Sequence, residues 1–333
     1  MVLSVLPMKH NWKITFILLA MFVVTQLIGL YVINSDPFHI KTEVNGVTTV
    51  TDNPSLSWIQ PPEVQQESDF NVYFGSIIFA FIFAVVILFL LTKFKIDFIL
   101  RIWFFAVVVI ALSLSFVAFL PEFIHSIYPL AYYLVPIIIA LPLAFIKIFK
   151  RNILIHNLTE LLVYPGIAAV FVPILNLWSV IALLLIISAY DMWAVWHSGI
   201  MQKMAKYQIN TLKVFSGFFV PYISKKLRMQ MKKSKVKNKK IKVNLAILGG
   251  GDVIFPIITA GVVLMTESIG LPFGLFPLIR FTGGIIPALF VVAGATIALA
   301  LLFSFSEKKK FYPAMPFITA GILLGLILSY LIF

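Results

Sequence analysis

The 333-residue chain lacks cysteine and has few charged residues. Without cysteine it cannot form disulfides, thiolate metal sites or a cysteine nucleophile. Asp, Glu, Lys and Arg make up only 12% of the residues, whereas soluble domains carry about 25%. A surface so poor in charge would not keep a soluble protein dispersed, and 61% of the residues are hydrophobic. The composition therefore excludes an ordinary soluble domain and indicates a polytopic membrane protein.

Nine long apolar runs occupy most of the chain, each suited to a helix of about 20 residues that crosses a bilayer. We expect these spans at roughly 14–34, 70–92, 98–120, 127–147, 154–172, 174–196, 244–265, 283–304 and 312–332. The first run could instead be a signal peptide. Its apolar stretch is too long for one, however, and no A-x-A-like cleavage site follows it, which favours a retained helix.

The placement of basic residues predicts how the spans are oriented. Basic and non-basic loops alternate along the chain, and of 26 Lys and Arg only Lys41 and Arg280 fall in the non-basic loops. Basic loops tend to stay on the inner side of a membrane. We therefore expect an all-α polytopic membrane protein of nine transmembrane helices, with the N-terminus inside and the C-terminus outside.

The net charge of +13 is concentrated in one predicted inner loop, residues 197–243, which holds 13 Lys and Arg and no acid. This pattern favours a topology signal and attraction to membrane lipids, at about 1 kcal/mol per basic residue near the surface. No base-stacking pattern accompanies the lysines, so we expect no nucleic acid partner. The apolar segment 214–223 is too short to span and is expected in the membrane interface, with a cover over an active-site mouth as the alternative. The predicted units are a six-span part, 1–196, the basic cytoplasmic loop, 197–243, and a three-span part, 244–333.

Two acids lie inside predicted spans, Asp191 near the inner end of the sixth and Asp252 in the inner half of the seventh. A charge at the bilayer centre costs at least about 2.5–3.5 kcal/mol, so such residues usually face a cavity and act there. If the intervening residues are helical, Asp191 lies about 18 Å from Lys203 and Asp252 about 15 Å from Lys242. The two carboxylates are therefore expected at one depth. Sharing one proton, they could act as general base and general acid on a peptide bond, without metal or cofactor.

Three glycines, Gly249, Gly250 and Gly251, directly precede Asp252. Each costs about 1 kcal/mol in a helix relative to alanine, and each lets another backbone approach closely. We expect them to loosen the seventh helix and admit an extended substrate beside the acid. The alternative is that they only pack against a neighbouring helix.

"AYD" at 189–191 and "GGGD" at 249–252 resemble the YD and GxGD motifs of presenilins and signal peptide peptidases, the intramembrane aspartyl proteases. That family has nine spans, with these motifs on the sixth and seventh. The resemblance implies that Asp191 and Asp252 are catalytic, that Tyr190 and the glycines contact substrate, and that no cofactor is used. It also implies a multi-pass protein of the cell membrane whose partners are transmembrane helices of substrate proteins. The lack of long soluble tails fits a prokaryotic or archaeal member.

The family's third motif, Pro-Ala-Leu on the ninth span, has two candidates here. "IPALF" at 286–290 matches the letters but falls on the eighth span, whereas "YPAMPF" at 312–317 falls on the ninth with Met315 in place of Leu. We assign the motif to Pro313, Ala314 and Met315. Prolines there would interrupt regular helix and could hold an unwound substrate strand to strand. A simple helix start is the alternative.

Two other functions compete with the protease hypothesis. A proton- or ion-coupled transporter would also use intramembrane acids, but no internal repeat supports it. A preflagellin- or prepilin-type peptidase also carries GxGD, but the position of the YD motif and the nine-span order argue against it. The inward-facing acids resemble the presenilin orientation, so substrates with an inner C-terminus are expected. The oligomeric state and the natural substrate are not readable from the sequence.

Two charged residues near the inner ends of neighbouring spans receive simpler interpretations. Glu160, in the fifth span, is interpreted as a snorkelling side chain or a helix-start partner rather than a third acid in the cavity. Lys147 is interpreted as part of the basic inner loop that follows the fourth span.

Overall fold

The structure is a computed structural model that describes most of the chain. The described residues are 12–44, 47–53, 56–57, 59–93, 97–120, 124, 128–150, 152–198, 216–222, 244–266, 269–270, 280–281, 283–306 and 312–332. These ranges contain nine helices of four turns or more. They are α1 (Trp12–Asn34), α2 (Glu67–Lys93), α3 (Asp97–Phe119), α4 (Pro129–Phe145), α5 (Ile153–Phe171), α6 (Leu177–Trp193), α7 (Gly250–Met265), α8 (Ile285–Phe305) and α9 (Met315–Ile332).

Short irregular turns extend three of these helices. A π-helical turn, Ile146–Lys150, continues α4, and another, Ala194–Ser198, continues α6. A 3-10 turn, Val172–Ile174, ends α5. Within the described residues, seven helices are long and apolar enough to cross a membrane by length and composition. The two others, α4 and α7, have 17 and 16 residues.

In the described part of the chain, six short strands form three two-stranded antiparallel sheets. They pair β1 (His39–Val44) with β2 (Val47–Asp52), β3 (Gly217–Tyr222) with β4 (Asn244–Gly249), and β5 (Ile269–Gly270) with β6 (Arg280–Phe281). The expectation of an all-α chain is therefore correct for the main architecture only. The expected interfacial location of 214–223 stays a prediction, and its described part, 216–222, consists of β3 and the residue before it.

The boundary of the seventh helix corrects the sequence prediction. An apolar run at 244–265 was expected to be one helix, but residues 244–249 form β4 and α7 begins at Gly250. Strand β4 pairs with β3 along its whole length, from Gly217↔Gly249 to Tyr222↔Asn244. A short apolar run cannot be assigned to strand or helix from periodicity alone, and here the pairing partner decides it.

Helix α7 lies at the centre of the bundle. It packs against α1, α5, α6 and α8, and its residues Val253, Ile257 and Val263 have no exposed surface. Small residues allow this close packing, since a Cβ on Gly29 of α1 would collide with the side chain of Ile257. Elements on every side therefore constrain the position of α7 and of Asp252 near its start.

Helices α8 and α9 form a tightly packed antiparallel pair. A Cβ on Gly321 would collide with the backbone of Gly294, and one on Gly325 would collide with the backbone of Phe290. Glycine at such positions lets two membrane helices approach backbone to backbone. This contact determines where the first residues of α9 lie relative to the rest of the bundle.

Candidate active site

Asp191 lies in the last turn of α6 and is buried, with 6% of its surface exposed. Its Oδ2 accepts a hydrogen bond of 3.1 Å from the backbone N–H of Met315, the first residue of α9. The first N–H groups of a helix have no partner within the helix, and the helix dipole favours negative charge beside them. The start of α9 therefore orients this carboxylate.

Asp252 is the third residue of α7 and lies in its first turn. The residue is partly buried, and its side chain bends back toward the strand-to-helix junction. A Cβ placed on Gly249 would lie 3.1 Å from Oδ2 of Asp252. Like Asp191, this carboxylate is close to a helix N-terminus, where a negative charge is stabilised by about 0.3–1 kcal/mol.

The structure brings these two carboxylates together. Helix α6 packs against both α7 and α9, and Asp191 lies near enough for its charge to act on Asp252. One turn away from Asp191, the hydroxyls of Ser188 and Thr319 form a buried hydrogen bond of 2.8 Å between α6 and α9. The arrangement places two acids and one backbone donor, the N–H of Met315, at the meeting point of three helices.

The glycines lie at the junction of β4 and α7, and their expected role in loosening the seventh helix stays a prediction. Gly249 is the last residue of β4 and the N-cap of α7, with extended backbone angles φ −65° and ψ 146°. Gly250 and Gly251 form the first turn of α7. Because β4 pairs with β3, the backbone before Gly250 is a strand, and the seventh helix begins at Gly250 rather than at residue 244.

The Pro-Ala-Met segment forms the entry to α9. Residues 312–314 are not helical and α9 begins at Met315. The segment therefore consists of an irregular stretch followed directly by a helix start. The Met315 side chain is buried in the core, 4% exposed, while its N–H bonds Asp191. The competing segment Pro287-Ala288-Leu289 lies inside α8, where Pro287 and Ala288 are buried.

Tyr190 is 40% exposed and borders an apolar cavity of about 570 Å³ between α2, α6 and α7. Its ring contacts Phe81 edge to face, with centroids 6.0 Å apart, and lies 6.3 Å from the ring of Trp193. Ile254 and Phe255, just after Asp252, also line the cavity. The cavity therefore adjoins the residue directly before Asp191 and the residues shortly after Asp252.

The sequence interpretation of Glu160 and Lys147 was wrong. Glu160 is 1% exposed and does not snorkel, and its Oε1 pairs with Nζ of Lys147 at 3.0 Å. The Lys147 side chain is 4% exposed and is therefore not part of a solvated basic loop. The signal available in the sequence was that two opposite charges lie near the inner ends of adjacent antiparallel spans.

Sequence reasoning also missed the polar residues of α5 around Glu160. Asn157 and His156 hydrogen-bond to backbone groups of β3, and Tyr164 lies 3.2 Å from the hydroxyl of Ser216. Nothing in the sequence connects these residues to the segment around 216–219, which lies about 60 positions further on. Among the described residues, no group of three or more His, Asp and Glu could hold a metal ion.

Comparison with known proteins identifies the fold and the family of the chain. Two solved structures, both of a presenilin family intramembrane aspartate protease, share the fold, with TM-scores of 0.55 and 0.54 at 14% and 15% sequence identity. The alignments cover 96% and 97% of this chain and 99% and 100% of the other. No curated protein matches the chain. Residues 53–333 match the family described as signal-peptide peptidase, presenilin aspartyl protease. The expected family is therefore confirmed, and the chain belongs to the signal-peptide peptidase and presenilin family of aspartyl proteases.

Proposed function

We propose that Asp191 and Asp252 are the catalytic residues of this multi-pass intramembrane aspartyl protease, and that together they hydrolyse peptide bonds within transmembrane segments of substrate proteins. One observation carries the proposal. The two intramembrane acids that the sequence singled out interact with each other where α6, α7 and α9 meet. Membership of the family favours this function over an ion-coupled transporter.

The chemistry follows from one proton shared by two carboxylates. The ionised carboxylate takes a proton from a water molecule as that water attacks the peptide carbonyl. The protonated carboxylate donates first to the carbonyl oxygen and then to the leaving nitrogen. The backbone N–H of Met315 and the first turn of α7 hold the two side chains in place, so little rearrangement is needed at the moment of reaction.

We assign substrate binding to the residues around the two acids. Gly251 presents an open face beside Asp252, because only a ring atom of Phe255 would lie within 4 Å of a Cβ there, at 3.8 Å. Gly249 and Gly250 let the chain turn from strand to helix. Pro313 and Ala314 directly precede Met315, whose backbone N–H donates to Asp191. The cavity beside Tyr190 suits apolar side chains of the substrate, since its volume lies in the range of about 300–1,000 Å³ typical of small-ligand sites.

We infer nine spans with the N-terminus inside and the C-terminus outside. Helix α4 with its π-helical turn is about 33 Å long at 1.5 Å per residue, which matches a hydrocarbon core of about 30 Å. Helix α7 alone is about 24 Å long, and β4 completes its path toward the inner face. In this arrangement 197–243 is a cytoplasmic loop facing anionic lipid, between a six-span part at 1–196 and a three-span part at 244–333.

The decisive experiment replaces each acid by its neutral isostere. Asp191→Asn and Asp252→Asn are each expected to reduce cleavage of a transmembrane test substrate below detection, because either change removes the shared proton. The measurement is product formation by purified protein in bilayer vesicles, with thermal unfolding as the check on folding. Asp52→Asn, on the exposed β1–β2 hairpin, is the matched control and should cleave normally.

Activity that survives both replacements would refute the assignment. The choice of substrate separates the remaining peptidase alternative. A type IV pilin leader offered beside the transmembrane substrate should remain uncut, whereas a prepilin-type peptidase would process it.

A further inference from the structure

Four side chains on two turns of α5 hold the start of β3, and we call them the α5 cluster: His156, Asn157, Glu160 and Tyr164. The carboxamide of Asn157 bonds both backbone groups of Phe219, donating from Nδ2 to the carbonyl oxygen at 2.7 Å and accepting from the N–H at 2.9 Å. This side chain therefore pairs with β3 much as a neighbouring strand residue would.

Gly217 is held in the same way by two other members, His156 and Glu160. Nε2 of His156 lies 2.8 Å from the Gly217 carbonyl oxygen, and Oε1 of Glu160 accepts from the Gly217 N–H at 3.4 Å. Gly217 is buried and has a φ of +147°, a conformation that residues with side chains rarely adopt. The α5 cluster therefore occupies backbone groups of β3 that face away from β4.

Strand β3, held by the α5 cluster, pairs with the residues that precede Asp252 and so restricts their position. Gly217 pairs with Gly249 in the β3–β4 register, and the N–H of Gly250 donates to the Ser216 carbonyl oxygen at 3.3 Å. The Ser216 hydroxyl in turn lies 3.2 Å from the hydroxyl of Tyr164. Gly249 and Gly250, the two residues before Gly251, are thus connected to α5 through the backbone of Ser216 and Gly217.

The buried ion pair beneath the cluster needs its own explanation. Lys147 and Glu160 are 3.0 Å apart and almost fully buried. Such pairs often contribute little net stability, because the loss of solvation offsets their attraction, and apolar replacements of both residues are often neutral or stabilising. The pair does, however, orient Glu160, since the same Oε1 that meets Lys147 also accepts from Gly217. Stability alone is therefore a weak reason for its presence.

We propose that the α5 cluster positions Asp252, with Glu160 and Asn157 as positioning residues that act through β3 and β4. This inference rests on the proposed catalytic role of Asp252. A purely structural role is the competing explanation, in which the cluster stabilises the β3 region without affecting the geometry of the acid. The two explanations differ in whether an acceptor at Glu160 matters once both buried charges are gone.

Two double variants test that difference. Lys147→Met with Glu160→Gln removes both charges and keeps an acceptor for the Gly217 N–H. Lys147→Met with Glu160→Leu removes both charges and the acceptor. Misplacement of a catalytic group by about 1 Å can lower a rate about 100-fold, so the leucine variant is expected to lose about tenfold or more in kcat at similar KM. The glutamine variant should stay within about threefold of the parent protein.

Leu158→Ala is the control on the same turn, because Leu158 is exposed on the outer face of α5. Asn157→Leu, which breaks the Phe219 contacts without touching any charge, is a second route to the same loss of kcat. Equal kcat in the glutamine and leucine variants, together with normal kcat for Asn157→Leu, would overturn the positioning role.

A second measurement does not depend on proteolysis. Because the chain has no cysteine, Asp252→Cys creates a single thiol whose reaction rate with a maleimide reports the surroundings of position 252. The rate is expected to change about fivefold or more between the leucine and glutamine backgrounds, and an unchanged rate would contradict the proposal. If Asp252→Asn still cleaves substrate, the catalytic assignment fails, and the labelling rates still show whether the α5 cluster positions residue 252.

Discussion

At the residue scale, the adjacent glycines Gly250 and Gly251 lie in different surroundings. A Cβ on Gly250 would collide with the Ser216 hydroxyl and lie 2.8 Å from the Tyr164 hydroxyl. A Cβ on Gly251 would meet nothing closer than 3.8 Å. Gly250 is therefore needed for packing between α7 and the α5 cluster, whereas Gly251 leaves space beside Asp252.

We predict that Gly250→Ala destabilises the protein by about 1–3 kcal/mol, the usual cost of adding a methyl group to a packed site. Gly251→Ala should have little effect on stability, because its Cβ has room. Thermal or denaturant unfolding in detergent measures both. Equal stability of the two variants would show that the contacts of Gly250 with Tyr164 and Ser216 are not constraining.

Gly249→Ala should slow the reaction without unfolding the protein. Its new Cβ would lie 3.1 Å from Oδ2 of Asp252, so the carboxylate must shift by a few tenths of an ångström. We expect kcat to fall about tenfold, within the range for a small misplacement of a catalytic group. Gly75→Ala, in α2 where nothing lies within 4 Å of the new Cβ, is the matched control, and a similar kcat for both would count against this geometry.

At the element scale, α6 and α9 are joined close to the site. The Ser188–Thr319 hydrogen bond lies one turn before Asp191 and one turn after Met315. It therefore supports the contact between the Asp191 carboxylate and the start of α9, although neither hydroxyl belongs to the proposed catalytic residues. Two membrane helices with polar side chains at the same level gain a directional link that apolar packing does not supply.

A double-mutant cycle with Ser188→Ala and Thr319→Val should reveal this link. Hydrogen bonds of this kind between membrane helices contribute about 0.6 kcal/mol on average, with a maximum of about 1.7. We expect a coupling energy in that range from unfolding measurements on both single variants and the double variant. Strictly additive effects would mean that the two hydroxyls do not support each other.

At the scale of the whole molecule, charge distribution and helix order together support the proposed inner and outer sides. Residues 35–69 hold six of the 13 Asp and Glu, whereas 197–243 holds half of the 26 Lys and Arg. With helices alternating in direction, the start of α7 and the last turn of α6 face the same side as this basic loop. The two aspartates should then be reached from the cytoplasmic side.

Single cysteines in the cysteine-free chain test this orientation. Glu63→Cys, before α2, should react with a membrane-impermeant maleimide applied to intact cells. Ser234→Cys, in the basic loop and outside the described residues, should react only after the membrane is permeabilised. Labelling in the reverse order would invert the proposed topology, although it would leave the fold unchanged.

Much of the helical framework was predictable because the bilayer selects each span by its own composition. Helix α5 was expected at 154–172 and is found at Ile153–Phe171, and α8 was expected at 283–304 and is found at Ile285–Phe305. Asp191 and Asp252 were recognisable for the same reason, since placing a charge in an apolar span costs free energy and usually indicates a functional residue. The prediction failed at 244–249, where an apolar run is strand rather than helix.

The sequence by itself determined which segments are apolar enough to enter a membrane and which acids accompany them, because hydrophobicity acts on each segment independently of the others. Only the tertiary structure decided the partners: Lys147 for Glu160, the Met315 N–H for Asp191, and Asn157 for β3. Each of these contacts joins groups from different elements of the chain. Buried polar groups bond to whatever the packed helices bring within reach, and that depends on three-dimensional distance rather than on local composition.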